Sequence, residues 1–269
     1  MKSSSPCRRH LLLGLAVLAG TSACAMSPTS PSPTAAPGAE KSTKTQALGL
    51  GARALQDTAP VEQLDAYLDG FHFVHGNMGM QEEAHHYCYQ MTEEFHQCAI
   101  YDGNGKEAKL IGVEHIISDR LYRGLPAQEQ RMWHPHDYEV KSGLLIAPGI
   151  PQAAEHELME KLVSTWGKTW HVWHTKQDQL PVGEASLMMG FTQDGQIRPA
   201  LVEDRDRRFE ISTQERRAQR ADIPDPGHSE AVSARESKPS VGKASKPRKS
   251  RQPRAQGDEP LGPSERESR

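Results

Sequence analysis

Neither end of this chain carries enough apolar surface to build a core, so folding is confined to the middle. From Ser27 the sequence runs S-P-T-S-P-S-P-T-A-A-P-G-A, and Pro, Ser, Thr and Ala continue to about Gln46. From Pro224 to Arg269 there is no Phe, Trp or Tyr, and Ser, Pro, Lys and Arg dominate. Segments of this kind do not recover their ordering entropy by burial. The reading is a disordered tether over 25–52, one domain over 53–222, and a disordered basic tail over 223–269. A stretch of that length suits a single hydrophobic core. Residues 235–254 hold eight basic residues and one acidic. Such a tail suits anionic envelope polymers or lipid headgroups, and an unattached solvated tail is the plain alternative.

Residues 1–24 read as a signal peptide with a lipobox. Lys2, Arg8 and Arg9 form a positive start, and Leu11 to Gly20 is apolar. That stretch is shorter than the roughly 20 residues a membrane-spanning helix needs. Small residues then lead to T-S-A-C, with Cys24 as the expected lipidation site. The expectation is a lipoprotein held at the membrane by Cys24, in the outer membrane and facing the periplasm or the surface. The alternative is a soluble periplasmic or secreted protein. With an export signal, no nucleic acid is expected as a partner. The net charge of -3 implies no strongly charged partner either.

Within the domain the pattern is α+β, mostly antiparallel strands with a few short helices. The apolar spacing predicts a helix over Ala54–Leu68, with Leu55, Val61, Leu64 and Leu68 on one side. Ala84–Gln90 and His96–Tyr101 read as a hairpin, closed at its far end by Asp102-Gly103-Asn104-Gly105. Leu110–Ile117 is a third strand. Ser118–Tyr122 and Pro126–Trp133 read as helical. Tyr138–Ala147 reads as a strand stopped by Pro148-Gly149, and Ala153–Trp166 as a helix stopped by Gly167. Thr169–His174 and Ser186–Phe191 read as strands. No glycine-rich phosphate loop opens a helix, which disfavours a doubly wound sheet.

Eleven of the thirteen histidines fall between Phe71 and Thr175. Imidazole is the commonest metal ligand, so the density raises the question of a transition metal such as zinc. His134 and His136 are the leading pair, because residues i and i+2 of an extended segment share a face. Glu139 is close enough to add a carboxylate. His85 and His86 are adjacent and face opposite ways on a strand, so one of them at most joins the set; His85 is taken as the third candidate. His72 with His75, and His171 with His174, would also diverge on strands. Trp170, Val172 and His174 would then share one face, read as core packing.

Glu114 beside His115 is a possible acid or base, but no nucleophile–base pattern accompanies it. G-x-S-x-G, H-E-x-x-H and C-x-x-C are all absent from the sequence. No catalytic residue is assigned. Cys88 and Cys98 lie across the expected hairpin, where a disulfide, two buried thiols or soft ligation beside a histidine are all open.

The core resembles the oil-body-associated protein family, first named from plant seeds and carrying a domain of unknown function. The resemblance rests on E-A-H-H-Y-C at Glu83, Q-C-A-I-Y-D at Gln97, L-I-G-V-E-H-I-I-S at Leu110 and W-H-P-H-D-Y-E-V-K-S-G at Trp133. It continues with L-P-V-G at Leu180, L-M-M at Leu187 and R-P-A-L-V at Arg198. These cover about residues 71–213. The resemblance implies a fold but no reaction. The plant proteins lack an export signal and hold the cysteine pair in reducing cytosol, which argues against a bridge as its general purpose. It also argues against carrying the oil-body location over. The leading functional class is a binding or structural protein. The alternative is a metal-dependent enzyme or metal-binding protein centred on His134 and His136. A third is an apolar-ligand site near Trp133, Trp170 and Trp173.

Overall fold

Long antiparallel strands with inward and outward faces both covered require a closed sheet between layers of helix, and the chain builds one. The computed structural model describes residues 29–236. The signal peptide with Cys24, and the stretch beyond 236 that includes most of the basic run, lie outside the described residues.

The chain begins with helices α1 (Thr43–Leu55) and α2 (Ala59–Glu62), then enters strands β1 (Ala66–Val74), β2 (Asn77–Thr92), β3 (Phe95–Tyr101) and β4 (Leu110–Ser118). Two short helices follow, α3 (Asp119–Arg123) and α4 (Ala127–Gln130). The two-residue strand β5 (His134–Pro135) runs into α5 (Asp137–Ser142) and α6 (Gln152–Leu162). Strands β6 (Thr165–His171) and β7 (Ser186–Met189) precede α7 (Pro199–Phe209), α8 (Thr213–Gln219) and α9 (His228–Glu236). The sheet order is β4-β3-β2-β1-β7-β6-β5, and β4 also pairs with β6. That last pairing closes a six-stranded antiparallel barrel of β1, β2, β3, β4, β6 and β7. Closure removes the open edges that a flat sheet would present. The two-residue β5 extends the wall beside β6, with His134 opposite Gly167.

The inward residues form layers. On β2, Glu82, Ala84, His86 and Cys88 alternate with Gln81, Glu83, His85 and Tyr87. At one end Leu68, Cys88, Cys98 and Ile116 pack with Val140 of α5 and Met159 and Leu162 of α6. Ala84, Ile100 and Ile111 form a separate apolar cluster. His86 sits between these two layers. Cys88 and Cys98 are directly paired across β2 and β3, with Cα atoms 4.0 Å apart, and are joined by a disulfide.

The outer face of β1 is covered by α7. Arg205, fully buried, donates to Asp69 Oδ1 at 3.2 Å, to Leu144 O at 2.9 Å and to Thr213 Oγ1 at 2.9 Å. Phe71, Leu144 and Phe191 pack around this contact with Leu201 and Val202 of α7.

Several expectations are corrected. The helix over Ala54–Leu68 does not form: Leu55 and Val61 are exposed, and Leu68 instead turns into the barrel on β1. The segment is instead divided: α1 ends at Leu55, α2 holds Ala59–Glu62, and the chain is extended from Ala66. Tyr138–Ala147 is not a strand. Asp137 and Glu139 stand in the first turn of α5, Gly143 ends it at φ 81°, and only Ile146 bridges to Asp69. Strand β6 starts four residues earlier than expected, and its inward face is that of Thr169 and His171 rather than that of Trp170 and Val172. Thr169 and His171 are buried, whereas Val172 is exposed.

The proposed tether and tail are partly structured. Ser30 N donates to Asn104 Oδ1 at 2.6 Å and Ser32 Oγ to Asp102 Oδ2 at 2.8 Å, and α1 lies within the segment expected to be disordered. At the other end Ile223 is buried, Ser229 N donates to Asp137 Oδ2 at 2.8 Å, and His228 stacks on Trp166. The packed chain therefore continues into α9, past the expected boundary at 222.

Replacing Arg205 with Met should destabilise the domain by about 3–5 kcal/mol, the scale for removing one partner of a buried ion pair. Urea denaturation monitored by tryptophan fluorescence measures this. A loss below about 1 kcal/mol, the range of exposed pairs, would show that Asp69 does not depend on Arg205.

Candidate metal centre

The polar layer inside the barrel is assembled from five separate elements. Glu114 points inward from β4, His72 from β1, His86 from β2, His134 from β5, and His136 occupies the N-cap of α5. All five are nearly or wholly buried. His86 Nε2 lies 2.9 Å from Glu114 Oε2, His134 Nε2 lies 3.4 Å from Oε1, and His136 Nε2 lies 3.3 Å from Oε1. The His72 ring stands 5.1 Å from that of His86, 5.4 Å from His134 and 5.7 Å from His171. A cavity of about 10 Å³ lies among His72, His86, Glu114, His136 and Glu139.

Of these histidines, His136 has both nitrogens engaged, with Thr165 Oγ1 at 2.8 Å and with Glu114. His86 and His134 face Glu114 at 2.9 and 3.4 Å, close enough to favour its ionised form, but neither ring N–H is aligned for a hydrogen bond. His72 Nδ1, both nitrogens of His86, both of His134 and His171 Nε2 have no hydrogen-bond partner. Each buried unsatisfied polar atom costs about 1–3 kcal/mol. The ligand-capable atoms of His72, Glu114 and His134 all lie within 4.8 Å of one another, a spacing that a shared cation would require.

The backbone makes room for the cluster. A Cβ at Gly167 would stand 2.1 Å from Glu114 Oε1, 2.7 Å from His136 Nε2 and 2.8 Å from His134 Nε2. A Cβ at Gly190 would stand 2.7 Å from His134 Cδ2 and 2.9 Å from Glu139 Oε1. Any larger residue at either position would occupy space the donors use.

Electrostatics sort the groups by charge. Burial pushes the Glu114 carboxyl upward, but contacts from His134, His136 and His86 outweigh it and hold it well below the usual range. Burial pushes His72, His134 and His171 below the ordinary imidazole value, which keeps them neutral and ready to ligate. Glu139 is the opposite case. Burial first, then the charges of Glu114 and Asp137, raise it well above the usual carboxylate value. The same environment favours its neutral, protonated form over the carboxylate.

Of the residues singled out from sequence, the structure brings His134, His136 and Glu139 into one group. It does not bring His85 there. His85 faces outward, 3.1 Å from Asp69, and accepts or donates a 2.8 Å hydrogen bond with Tyr67. The alternation of β2 delivers His86 to the interior instead. Sequence reasoning left out His72 and His171 and gave Glu114 no place in the site. The available signal was register: with β1 as a strand, Leu68, Gly70 and His72 share the inward face, as do Gly112, Glu114 and Ile116 on β4. His115, beside Glu114, points outward against Phe95.

Residues 58–224 match the family described as "Protein of unknown function (DUF1264)". The chain belongs to this family. It is 40% identical over 188 residues to oil body-associated protein 1B of Arabidopsis thaliana, covering 70% of this chain and 78% of that protein. It is also 40% identical to oil body-associated protein 1A of Zea mays, covering 71% of this chain and 81% of the relative. Oil body-associated protein 2A of Zea mays is 39% identical over 71% of this chain and 77% of its own length. No solved structure matches the chain. These relatives correct the expectation of an outer-membrane lipoprotein. They are plant proteins named for the oil body, not lipoproteins of a bacterial outer membrane.

Glu139 gives a pH signature for the metal-free protein. The unfolded chain loses the Glu139 proton above about pH 4.5, whereas the fold retains it to much higher pH. Stability from this group is therefore full below that pH and falls as pH rises. Glu139→Gln removes the loss, because the amide needs no proton. The stability of the variant relative to the parent should increase from pH 5 to pH 8, by at most about 1.4 kcal/mol per pH unit. Urea denaturation in the presence of a chelator measures it; a difference that stays constant with pH would mean that Glu139 is ionised in the fold.

Proposed function

We propose that this chain is a metal-binding protein whose barrel interior holds one divalent transition ion. The observation that supports this reading is the convergence of unpartnered imidazole nitrogens on the ionised Glu114 in a space kept clear by two glycines. His72 and His134 would supply nitrogen and Glu114 oxygen, with His86 contacting the other oxygen of Glu114. His136 would hold Glu114 from behind, and Glu139 would add a second oxygen after losing its proton. Mixed nitrogen and oxygen donation suits Zn²⁺ or a neighbouring first-row ion.

The enclosure favours a binding or structural role over a reaction. Glu114 and the interior histidines are at most 5% exposed, whereas a catalytic zinc keeps one position open to substrate. The family carries no assigned reaction, and this reading requires none. As for location, the named relatives support a peripheral association with a lipid-droplet type of surface. Among the described residues no helix is long and apolar enough to cross a membrane.

Elemental analysis of the purified protein should find about one equivalent of zinc, iron, copper or nickel. The double change His72→Ala and His134→Ala should abolish it while circular dichroism retains the strand signal. Gly167→Ala should push Glu114 aside, lowering stability and weakening binding by about 10–100-fold, the scale on which sites respond to lost positioning. A protein that purifies without metal and takes up none of Zn²⁺, Cu²⁺, Ni²⁺ or Fe²⁺ in titration would sink the reading.

A further inference from the structure

The interior cluster has an outward neighbour that the proposed function does not use. His171 Nδ1 donates to Glu82 Oε2 at 3.0 Å, and His174 Nδ1 donates to the other oxygen, Oε1, at 2.9 Å. His174 Nε2 meets Ser186 Oγ at 3.1 Å. The ligand-capable atoms of Glu82, His171 and His174 lie within 4.8 Å of one another. Burial is graded across the three: the side chain of His171 is 0% exposed, that of Glu82 9% and that of His174 14%.

Two further observations give this group a direction. On its outer side, Glu82 lines an open cleft of about 210 Å³, shared with Glu83, Asp102, Asp204, Lys176 and Arg208. Asp102 is paired with Lys109 at 3.5 Å, so Glu82 is the cleft carboxylate that faces the two imidazoles rather than a lysine or arginine. Arg208 is already committed to Glu83 and Asp204. On its inner side, His171 Nε2 is buried without a partner, and its ring stands 5.7 Å from His72. The His174 ring is 6.2 Å away on the other side. The two nitrogens of one imidazole lie on opposite sides of the ring, so His171 offers one to the Glu82 group and one to the interior.

We propose that Glu82, His171 and His174 form a capture site, where a divalent transition ion from the cleft is first bound and then handed through His171 to the buried centre. This rests on the reading of the interior as a metal centre. An enclosed site reached only by opening the barrel would load slowly; a set of donors that runs from the cleft edge at His174 to the buried His171, and shares that imidazole with the interior, provides ligand-by-ligand exchange. The competing role for Glu82 is to orient His171 alone, as carboxylates do behind ligating imidazoles. That role makes no use of His174.

The test compares loading rate with final affinity in the full-length protein. Chelator-stripped protein is mixed with Zn²⁺ and uptake is followed by competition with a chromophoric chelator. His174→Ala and His174→Asn should both load about tenfold more slowly or worse, a loss typical of removing a group at a metal site. Affinity and the single interior equivalent should be unchanged. The Asn variant keeps a donor for Glu82 but is a poor ligand. If it loads at the parent rate, His174 serves as a hydrogen-bond donor only and the proposal is overturned. A fall in affinity matching the fall in rate also overturns it, because His174 would then be part of the holding site. In parent protein already filled with Zn²⁺, added Co²⁺ should bind as a weaker second equivalent and broaden the His174 ring resonances first. No broadening there would overturn the capture site without touching the interior reading, whereas parent protein that takes up no ion at all overturns both.

Discussion

A single buried negative charge, the Glu114 carboxylate, organises the interior of this barrel. A carboxylate moved out of water costs several kcal/mol even after the surroundings relax, and it persists only where other groups answer it. Here the answer comes from three imidazoles on β2, β5 and the start of α5, each from a different part of the chain. None of them is charged by necessity, so the compensation is dipolar and incomplete, which is why a cation fits the arrangement so well. The glycines at 167 and 190 are part of the same solution. They remove the side chains that would otherwise separate the donors from the carboxylate.

Strand β1 carries a second charged centre on its other face. Asp69 points outward to Arg205 while His72, three residues on, points into the barrel. The strand is thus a thin wall between an ion pair that fastens α7 and a donor set that faces Glu114. Both centres are walled by apolar layers, Phe71 and Phe191 on one side and Leu68 and Ile116 on the other. Low-dielectric surroundings strengthen each charge's dependence on its own partners. A change at either centre should therefore act on its own layer before it reaches the other.

How much of this was legible in the sequence depends on the kind of signal. The hairpin of β2 and β3 and the strand β4 were readable because β-type residues alternate between turn signals. His134, His136 and Glu139 were readable because they are close in sequence. His72, His86 and His171 were not, since they meet only through the register of a closed sheet, and nothing local announces closure. The preceding helix expectation over Ala54–Leu68 further hid β1 and with it the inward face of His72. Helices α7 and α8 were missed for a related reason: Arg205 and Arg220 stand where an apolar stripe would be sought, yet both are buried, and it is the carboxylates and carbonyls around them that make burial tolerable. The resemblance carried the family correctly, while the reading of the first 24 residues led to a location that the relatives do not support.

The β4–β6 pairing has a consequence for the order in which the protein comes into being. Strands β1 to β4 form a run of local hairpins that a growing chain completes early, but their two outer edges stay open until β6 and β7 arrive. Pairings so distant in sequence pay for loop closure before they return any contact, which makes closure the slow stage and leaves exposed edges in the meantime. The interior donors span the same interval, from His72 to His134, with His171 beyond them. A half-synthesised chain can gather only His72, His86 and Glu114 on one open sheet. Occupancy of the centre would thus mark a finished barrel, and the ion, arriving last, would act as the latch on a topology that the backbone alone closes slowly.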